Sequence, residues 1–403
     1  MINYHQHRSP AFLSGTLREA THFSKHKGGR RACSLAPPLA HGIRCMKNTI
    51  RHAFLLLVTS IVLRMAVLNV ASGSDFGPPR VIVPAPDQSR YQHLSWPKVI
   101  AASDGTIVTA FIAGRKHVNG DGCPAVSLSR DGGESFSSPR ILKHFDSSMR
   151  YQHGANLALG KATDGALVLM VMAFTDDLRN NIYGWRSEDH GATWARTDTS
   201  ALGQNRTGSV FGHVFSVPGK GLAVCGHFRK PKGDGVWIAY SKDHGKSWGP
   251  PHVITTRKFF EPAFVFASGR LLGLVRENSA HAYHQYISDD LGESWRFHPK
   301  VIQGDAAVVH PSPFVVVDPA NPGRLLVLQS ERSDKREIYL WQADVDTLRW
   351  RRRGLLVAQP DAEDFGYPWM THLGGNDWFV VYYGGEKDGP NSIYGMKITI
   401  PSG

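Results

Sequence analysis

The chain has 403 residues, of which 41% are apolar and 20% charged, with 46 Lys and Arg against 34 Asp and Glu. That composition excludes a disordered or collagen-like chain and leaves one large all-β domain or two average ones. The net charge of +12 does not describe a nucleic-acid binder, because residues 1–74 hold ten Lys and Arg and a single acid, Glu19. The excess left on the rest of the chain is too small for the basic face that a duplex requires.

Residues 1–45 are rich in Gly, Ser, His and basic side chains without periodicity, which fits a disordered arm or sequence upstream of the true start. From Met46 the pattern changes. Lys47 and Arg51 precede an apolar run at 53–63 (AFLLLVTSIVL), and the small residues Ala71, Ser72 and Gly73 follow. This is the layout of a cleaved secretory signal over 46–74, so a secreted or periplasmic protein is expected from residue 75 onward. The alternative is a membrane anchor over 58–70 in which Arg64 snorkels to the interface. Cys33 and Cys45 fall ahead of the expected cleavage. Cys123 and Cys225 have no CxxC or Cys/His spacing, so neither zinc nor a disulfide framework is expected.

Residues 75–403 are organised by repeats. Four octapeptides share Ser-x-Asp-x-Gly-x-x-aromatic: Ser129 to Phe136, Ser187 to Trp194, Ser241 to Trp248 and Ser288 to Trp295. Their aspartates, Asp131, Asp189, Asp243 and Asp290, lie 58, 54 and 47 positions apart, the length of one four-stranded propeller blade. A short strand leads into a turn whose Asp accepts from backbone N–H groups two residues on. Gly supplies a positive φ, and the closing ring returns to the core, where its burial is worth about 2–3 kcal/mol.

A second repeat, two apolar strands around a Gly-containing hairpin turn, recurs at 97–111, 156–170, 214–225, 262–275, 313–328 and 368–382. Six copies predict an all-β, six-bladed propeller in which these are the inner strands. Blade five keeps only a degenerate outer turn near 341–350 and blade six has none, so the strand at 81–84 is expected to close the ring. Residues just ahead of the inner strands should converge on the axis. They are His93 with Ser95, His153, His213, Glu261, His310 and Tyr367, a set that predicts a polar pocket. Arg90-Tyr91-Gln92-His93 and Arg150-Tyr151-Gln152-His153 open blades one and two identically, either as a duplication or as two equivalent imidazole and phenol sites.

Asp boxes on six blades resemble the sialidase (neuraminidase) superfamily of BNR-repeat proteins, and the resemblance covers about residues 78–400. It implies that the boxes are structural and lie on the outer face. Phe260-Glu261-Pro262, followed by Ser268-Gly269-Arg270 and Val275-Arg276, resembles the segment bearing the family's catalytic Glu. Gly366-Tyr367-Pro368, followed by 380–383 (VVYY), resembles the one bearing its Tyr nucleophile. A phenol avoids the repulsion that a sugar carboxylate would exert on an anionic nucleophile, and an adjacent Glu takes its proton. Gly114-Arg115 and Asp121 resemble the stretch carrying the acid/base Asp, although 119–122 also has the composition of a turn.

The resemblance further implies three arginines that clamp a carboxylate, yet Ser95, Tyr283 and His310 stand where those arginines belong. Arg115 and Arg276, with His93, His153, His213 and His310, are the candidate substrate-holding residues, whereas Arg90, Arg150 and Arg332 fit either a source of positive charge for the site or ordinary surface positions. The function expected is an exported exo-glycosidase with Tyr367 as nucleophile, Glu261 as base and Asp121 as acid/base. A uronate-polysaccharide lyase using His153 or His93 with a tyrosine is the alternative, and a non-catalytic carbohydrate-binding propeller a third. The partner expected is a glycan or glycoconjugate, with neither nucleic acid, cofactor nor metal, and the protein is expected to be a monomer.

Overall fold

In the computed structural model, residues 76–401 are described apart from 87–88, 119, 278–281 and 304–311, and they form 24 β-strands. The expected arm and signal or anchor (1–74), Cys33, Cys45 and His310 lie outside the described residues.

The strands make six four-stranded blades. β2 (His93–Ala101) to β5 (Arg140–Ile141) form the first, and β6 (His153–Lys161) to β9 (Ala195–Thr197) the second. The third runs from β10 (Gly208–Val217) to β13 (His252–Thr255), the fourth from β14 (Phe260–Ala267) to β17 (Arg296–Gln303), and the fifth from β18 (Phe314–Asp318) to β21 (Arg351–Ala358). The sixth combines β22 (Asp364–Gly374), β23 (Asp377–Gly385) and β24 (Asn391–Thr399) with β1 (Arg80–Val83), which pairs antiparallel with β24. The ring is therefore closed by the start of the domain, as the repeat count predicts. The same closure explains the missing sixth box: the box joins the third and fourth strands, and in blade six these come from opposite ends of the domain.

Each Asp box is a self-contained hydrogen-bond cage. Its Ser Oγ donates to the Asp and accepts the Gly N–H, at 2.7–2.9 Å. The Asp carboxylate accepts the N–H of the Ser or Thr four residues on, at 2.7–3.0 Å, rather than two as expected. The Gly lets the turn press on the preceding blade. At Gly245 (φ +83°) a Cβ would stand 2.7 Å from Val168 Cγ2. Blade five turns differently, with Asp344 capping the N–H groups of Asp346 and Thr347 at 3.1 and 2.9 Å.

Five of the six innermost strands share one distortion. Pairing slips between Ser95 and Lys98 on β2, between Ala155 and Leu157 on β6, and between Phe211 and Val214 on β10. It slips again between Phe260 and Ala263 on β14 and between Gly366 and Trp369 on β22. Within each slip one residue has left-handed backbone: Trp96 (φ 53°), Asn156 (39°), Gly212 (99°), Glu261 (47°) and Tyr367 (54°). A bulge re-aims the side chain at its apex. Three of the apices precede proline, which has no N–H to contribute to the broken ladder.

Candidate active site

Four of the five apices, Trp96, Asn156, Glu261 and Tyr367, line a single cavity at the mouth of the ring, with His117 and Arg229 beside them. The cavity measures about 610 Å³ out to its open mouth. The bulges thus decide which side chains the funnel presents.

Tyr367 on β22 and Glu261 on β14 meet there. The phenol donates to Glu261 Oε1 at 2.6 Å, although 106 residues separate the two. Arg276, at the end of β15 (Arg270–Arg276), ion-pairs with Glu261 Oε2 and donates to the Tyr367 oxygen at 3.2 Å. The Glu261 N–H donates to His227 Nδ1 at 3.1 Å, which pins the backbone at the apex. Burial opposes ionisation of Glu261, but Arg276 and the Tyr367 hydroxyl outweigh it and hold the carboxyl down at about 2. Burial and the neighbouring carboxylate push the Tyr367 phenol well above its ordinary value. The couple therefore rests as an anionic acceptor and a neutral phenol whose proton already points at it. Burial, and then the Arg229 guanidinium, push His227 down to about 3, so its ring is neutral near neutrality.

Two more guanidinium groups stand close by. Arg229 reaches the cavity wall. Arg332 lies 5.8 Å from the Tyr367 ring centre and donates to the Phe365 carbonyl at 3.0 Å and to Tyr383 Oη at 2.8 Å. It is partly buried beside the couple, which favours the first of the two readings its sequence context left open.

Asp364, three residues ahead of the Tyr367 apex, collects a second network. Its carboxylate accepts from Tyr383 Oη at 2.9 Å and lies 2.5 Å from His117 Nδ1 and 3.1 Å from His93 Nε2. Burial resists its ionisation, but the two imidazoles and Arg332 hold the carboxyl far below its usual range. The donor atoms of His93, His117 and Asp364 lie within 4.8 Å of one another, a spacing that suits a cation. Arg332, 3.5 Å from the same carboxylate, already supplies positive charge there.

The structure brings Tyr367, Glu261 and Arg276 together and places the other candidates apart. None of His93, His153 and His213 lines the cavity. His93 is buried against Asp364 and Asn391, and His153 is held by Asp176 at 3.0 Å. His213 packs between Phe314 and Trp369 deeper on the axis, where its Nε2 lies 2.9 Å from the Val315 carbonyl and burial pushes it down to about 4. The physical reason is register: His93 and His153 sit three residues before their apices and His213 one after, so they take a different direction from Glu261 and Tyr367. Asp121 is paired with the exposed Arg115 at 2.8 Å and lies 3.7 Å from His153 Nδ1. Its neighbours Gly120 and Gly122 line the cavity, but Asp121 does not. Of the three positions where arginines were expected, Ser95 lines the cavity, Tyr283 is fully buried and His310 lies outside the described residues. Sequence reasoning missed His117, Asp364, Arg229 and His227. The signal that could have aligned the apices is the pre-proline position shared by Trp96, Glu261 and Tyr367.

A closed ring of six sheets with a polar, arginine-flanked funnel defines a sialidase-like propeller. The chain belongs to the BNR repeat-like domain family, whose model matches residues 146–378, more than half of its length. No curated protein matches it. Among solved structures it is similar to a Dyadobacter fermentans protein of unknown function, at 18% identity and a TM-score of 0.63, covering 80% of this chain and 99% of that one. It is also similar to a Hadza microbial sialidase, at 17% identity and a TM-score of 0.64, covering 80% and 68%. A third is the Trypanosoma rangeli sialidase in complex with sialic acid, at 15% identity and a TM-score of 0.62, covering 80% and 57%. At these identities the likeness speaks for the fold.

Proposed function

We propose that this protein is an exo-acting glycoside hydrolase of the sialidase type, with Tyr367 as nucleophile and Glu261 as the base that receives its proton. The observation carrying this reading is the 2.6 Å Tyr367–Glu261 hydrogen bond on the cavity wall, with Arg276 bonded to both groups. In the resting site Arg276 holds Glu261 as a weak base. A bound anionic sugar competes for that guanidinium, and as Arg276 turns to the substrate the carboxylate becomes a stronger proton acceptor. Arg276, Arg332 and Arg229 surround the couple with three positive charges, which favours a sugar bearing a carboxylate. The family's other arginine positions are not needed to supply that charge. An adjoining depression shares Phe174 and Arg229 with the cavity and adds Phe228, Phe260, Lys230 and Lys258, a surface suited to the group beyond the scissile bond.

The test is turnover by the purified protein of aryl sialosides, uronides and neutral aryl glycosides, with Tyr367→Phe and Glu261→Gln alongside. Tyr367→Phe should lower kcat by on the order of 10³-fold or more, and Glu261→Gln by about 10²–10⁴-fold, while both still bind the sugar. Undiminished turnover by Tyr367→Phe removes the mechanism. A product absorbing in the ultraviolet through a new C=C bond would indicate β-elimination instead.

A further inference from the structure

His117 stands on the loop between β3 (Ile107–Gly114) and β4 (Cys123–Ser129) and lines the same cavity as Glu261 and Tyr367. Its Nδ1 is 2.5 Å from Asp364 Oδ2, across 247 residues of sequence. Asp364 is buried, and Tyr383 donates to its other oxygen at 2.9 Å. The carboxylate therefore fixes the proton of His117 on Nδ1. Nε2 has no hydrogen-bond partner among the described residues and is not a buried atom. Trp96 meets the ring edge-on at 5.1 Å and His93 at 5.9 Å, so the imidazole is held on two further sides. A histidine whose one nitrogen is clamped by a buried carboxylate, and whose other is open to a cavity, has the geometry of a proton shuttle. The rival donor Asp121 is paired with Arg115 and is not part of the cavity wall.

We propose that His117 is the general acid and base of this site, with Asp364 as its positioning residue. The proposal rests on the hydrolase reading above. In the first step the Tyr367 oxygen bonds to the anomeric carbon and its proton passes to Glu261. The glycosidic C–O bond breaks as imidazolium Nε2–H protonates the departing oxygen, leaving an alcohol and neutral His117. In the second step His117 takes a proton from water as the water oxygen attacks the same carbon. The Tyr367–sugar bond then breaks and the phenolate recovers its proton from Glu261.

A nitrophenolate departs without protonation, whereas methoxide does not. The decisive measurement is kcat/KM on the 4-nitrophenyl and methyl glycosides of N-acetylneuraminic acid, repeated with the corresponding glucuronides. His117→Ala should lose about 10²–10⁴-fold on the methyl glycoside and less than about tenfold on the nitrophenyl one. Equal losses on both would make His117 merely structural and overturn the assignment, as would selective loss in Asp121→Asn with none in His117→Ala. Wild-type protein that turns over none of these glycosides fails the hydrolase reading itself, and the shuttle with it. Wild-type turnover with equal losses fails the shuttle alone. For Asp364, proton NMR should show a low-field imidazole N–H that vanishes in both His117→Gln and Asp364→Asn. Its absence from the wild type would remove the positioning role.

Discussion

Lys98 lies on the axis beneath the cavity with no exposed surface. Its ammonium sits 4.2 Å from the Phe211 ring centre and 4.1 Å from that of Trp369, and it donates to the Pro97 carbonyl across a long 3.4 Å. Burial lowers its pKa from 10.5 to about 7, against the pull of the Glu261 carboxylate. At about 1.4 kcal/mol per unit, that shift is a penalty of about 5 kcal/mol on the charged form. The shift is already the net balance between burial and the attraction of Glu261, so at pH 7 burying Lys98 costs the fold on the order of 5 kcal/mol. Methionine has a similar length, keeps the packing and suits the same rings. Lys98→Met should therefore stabilise the protein by several kcal/mol at pH 7. The sign with pH follows from proton counts. Between pH 7 and 10.5 the unfolded lysine holds a proton that the folded one has lost, so wild-type stability rises through that window relative to Lys98→Met. Below pH 7 both states are protonated and the gap is constant. Denaturant unfolding of both proteins from pH 6 to 10.5 reads this directly. A less stable Lys98→Met at pH 7, or a gap that does not narrow towards pH 10.5, would refute the reasoning.

Two further outcomes test the scaffold. Gly245→Ala places a methyl 2.7 Å from Val168 Cγ2 on a backbone with φ +83°, and should cost about 1–3 kcal/mol in thermal or denaturant unfolding; a wild-type value would mean that the box does not press on its neighbour. Cys123 and Cys225 are both buried free thiols, and burial raises both, so native protein should leave them unlabelled by maleimide in peptide mapping and label them once unfolded.

The sequence carried the fold because its repeats are local. Each Asp box makes its cage within eight residues, and each inner hairpin shows its own alternation, so blade number and the closing strand could be counted. Glu261 and Tyr367 were legible because both occupy the same place in their blades. The histidines were not, because one extra residue in a bulge rotates everything on one side of it, and His93, His153 and His213 straddle that point. His117 and Asp364 were hidden for another reason. His117 lies on a loop outside the repeats, and Asp364, three residues before its apex like His93 and His153, meets it only because blade six closes against blade one. Arg332, Arg229 and Arg276 likewise reach the couple from different blades, so the positive charge around it emerges only on assembly.

The bulges pose a last question, whether left-handed backbone at the apices is imposed by the fold. For a residue with a Cβ that conformation costs about 1–2 kcal/mol, a cost absent for glycine, which occupies the apex of blade three at Gly212. Asn156 is the informative site. It takes no part in the proposed chemistry, and its side chain makes one described hydrogen bond, Nδ2 to Ser209 Oγ at 2.9 Å. Asn156→Ala and Asn156→Gly both lose that bond, but only alanine keeps the backbone penalty. At an ordinary strand position glycine is the worse of the two by about 0.5–1 kcal/mol. Here the order should invert, with Asn156→Gly the more stable by about 1 kcal/mol in denaturant unfolding. If alanine proves the more stable, the apex is relaxed, and the aim of Glu261 and Tyr367 would have to come from their hydrogen bonds rather than from the strand. If the order inverts, the ring holds its apices against their local preference, which is what keeps the phenol and the carboxylate in line before any ligand binds.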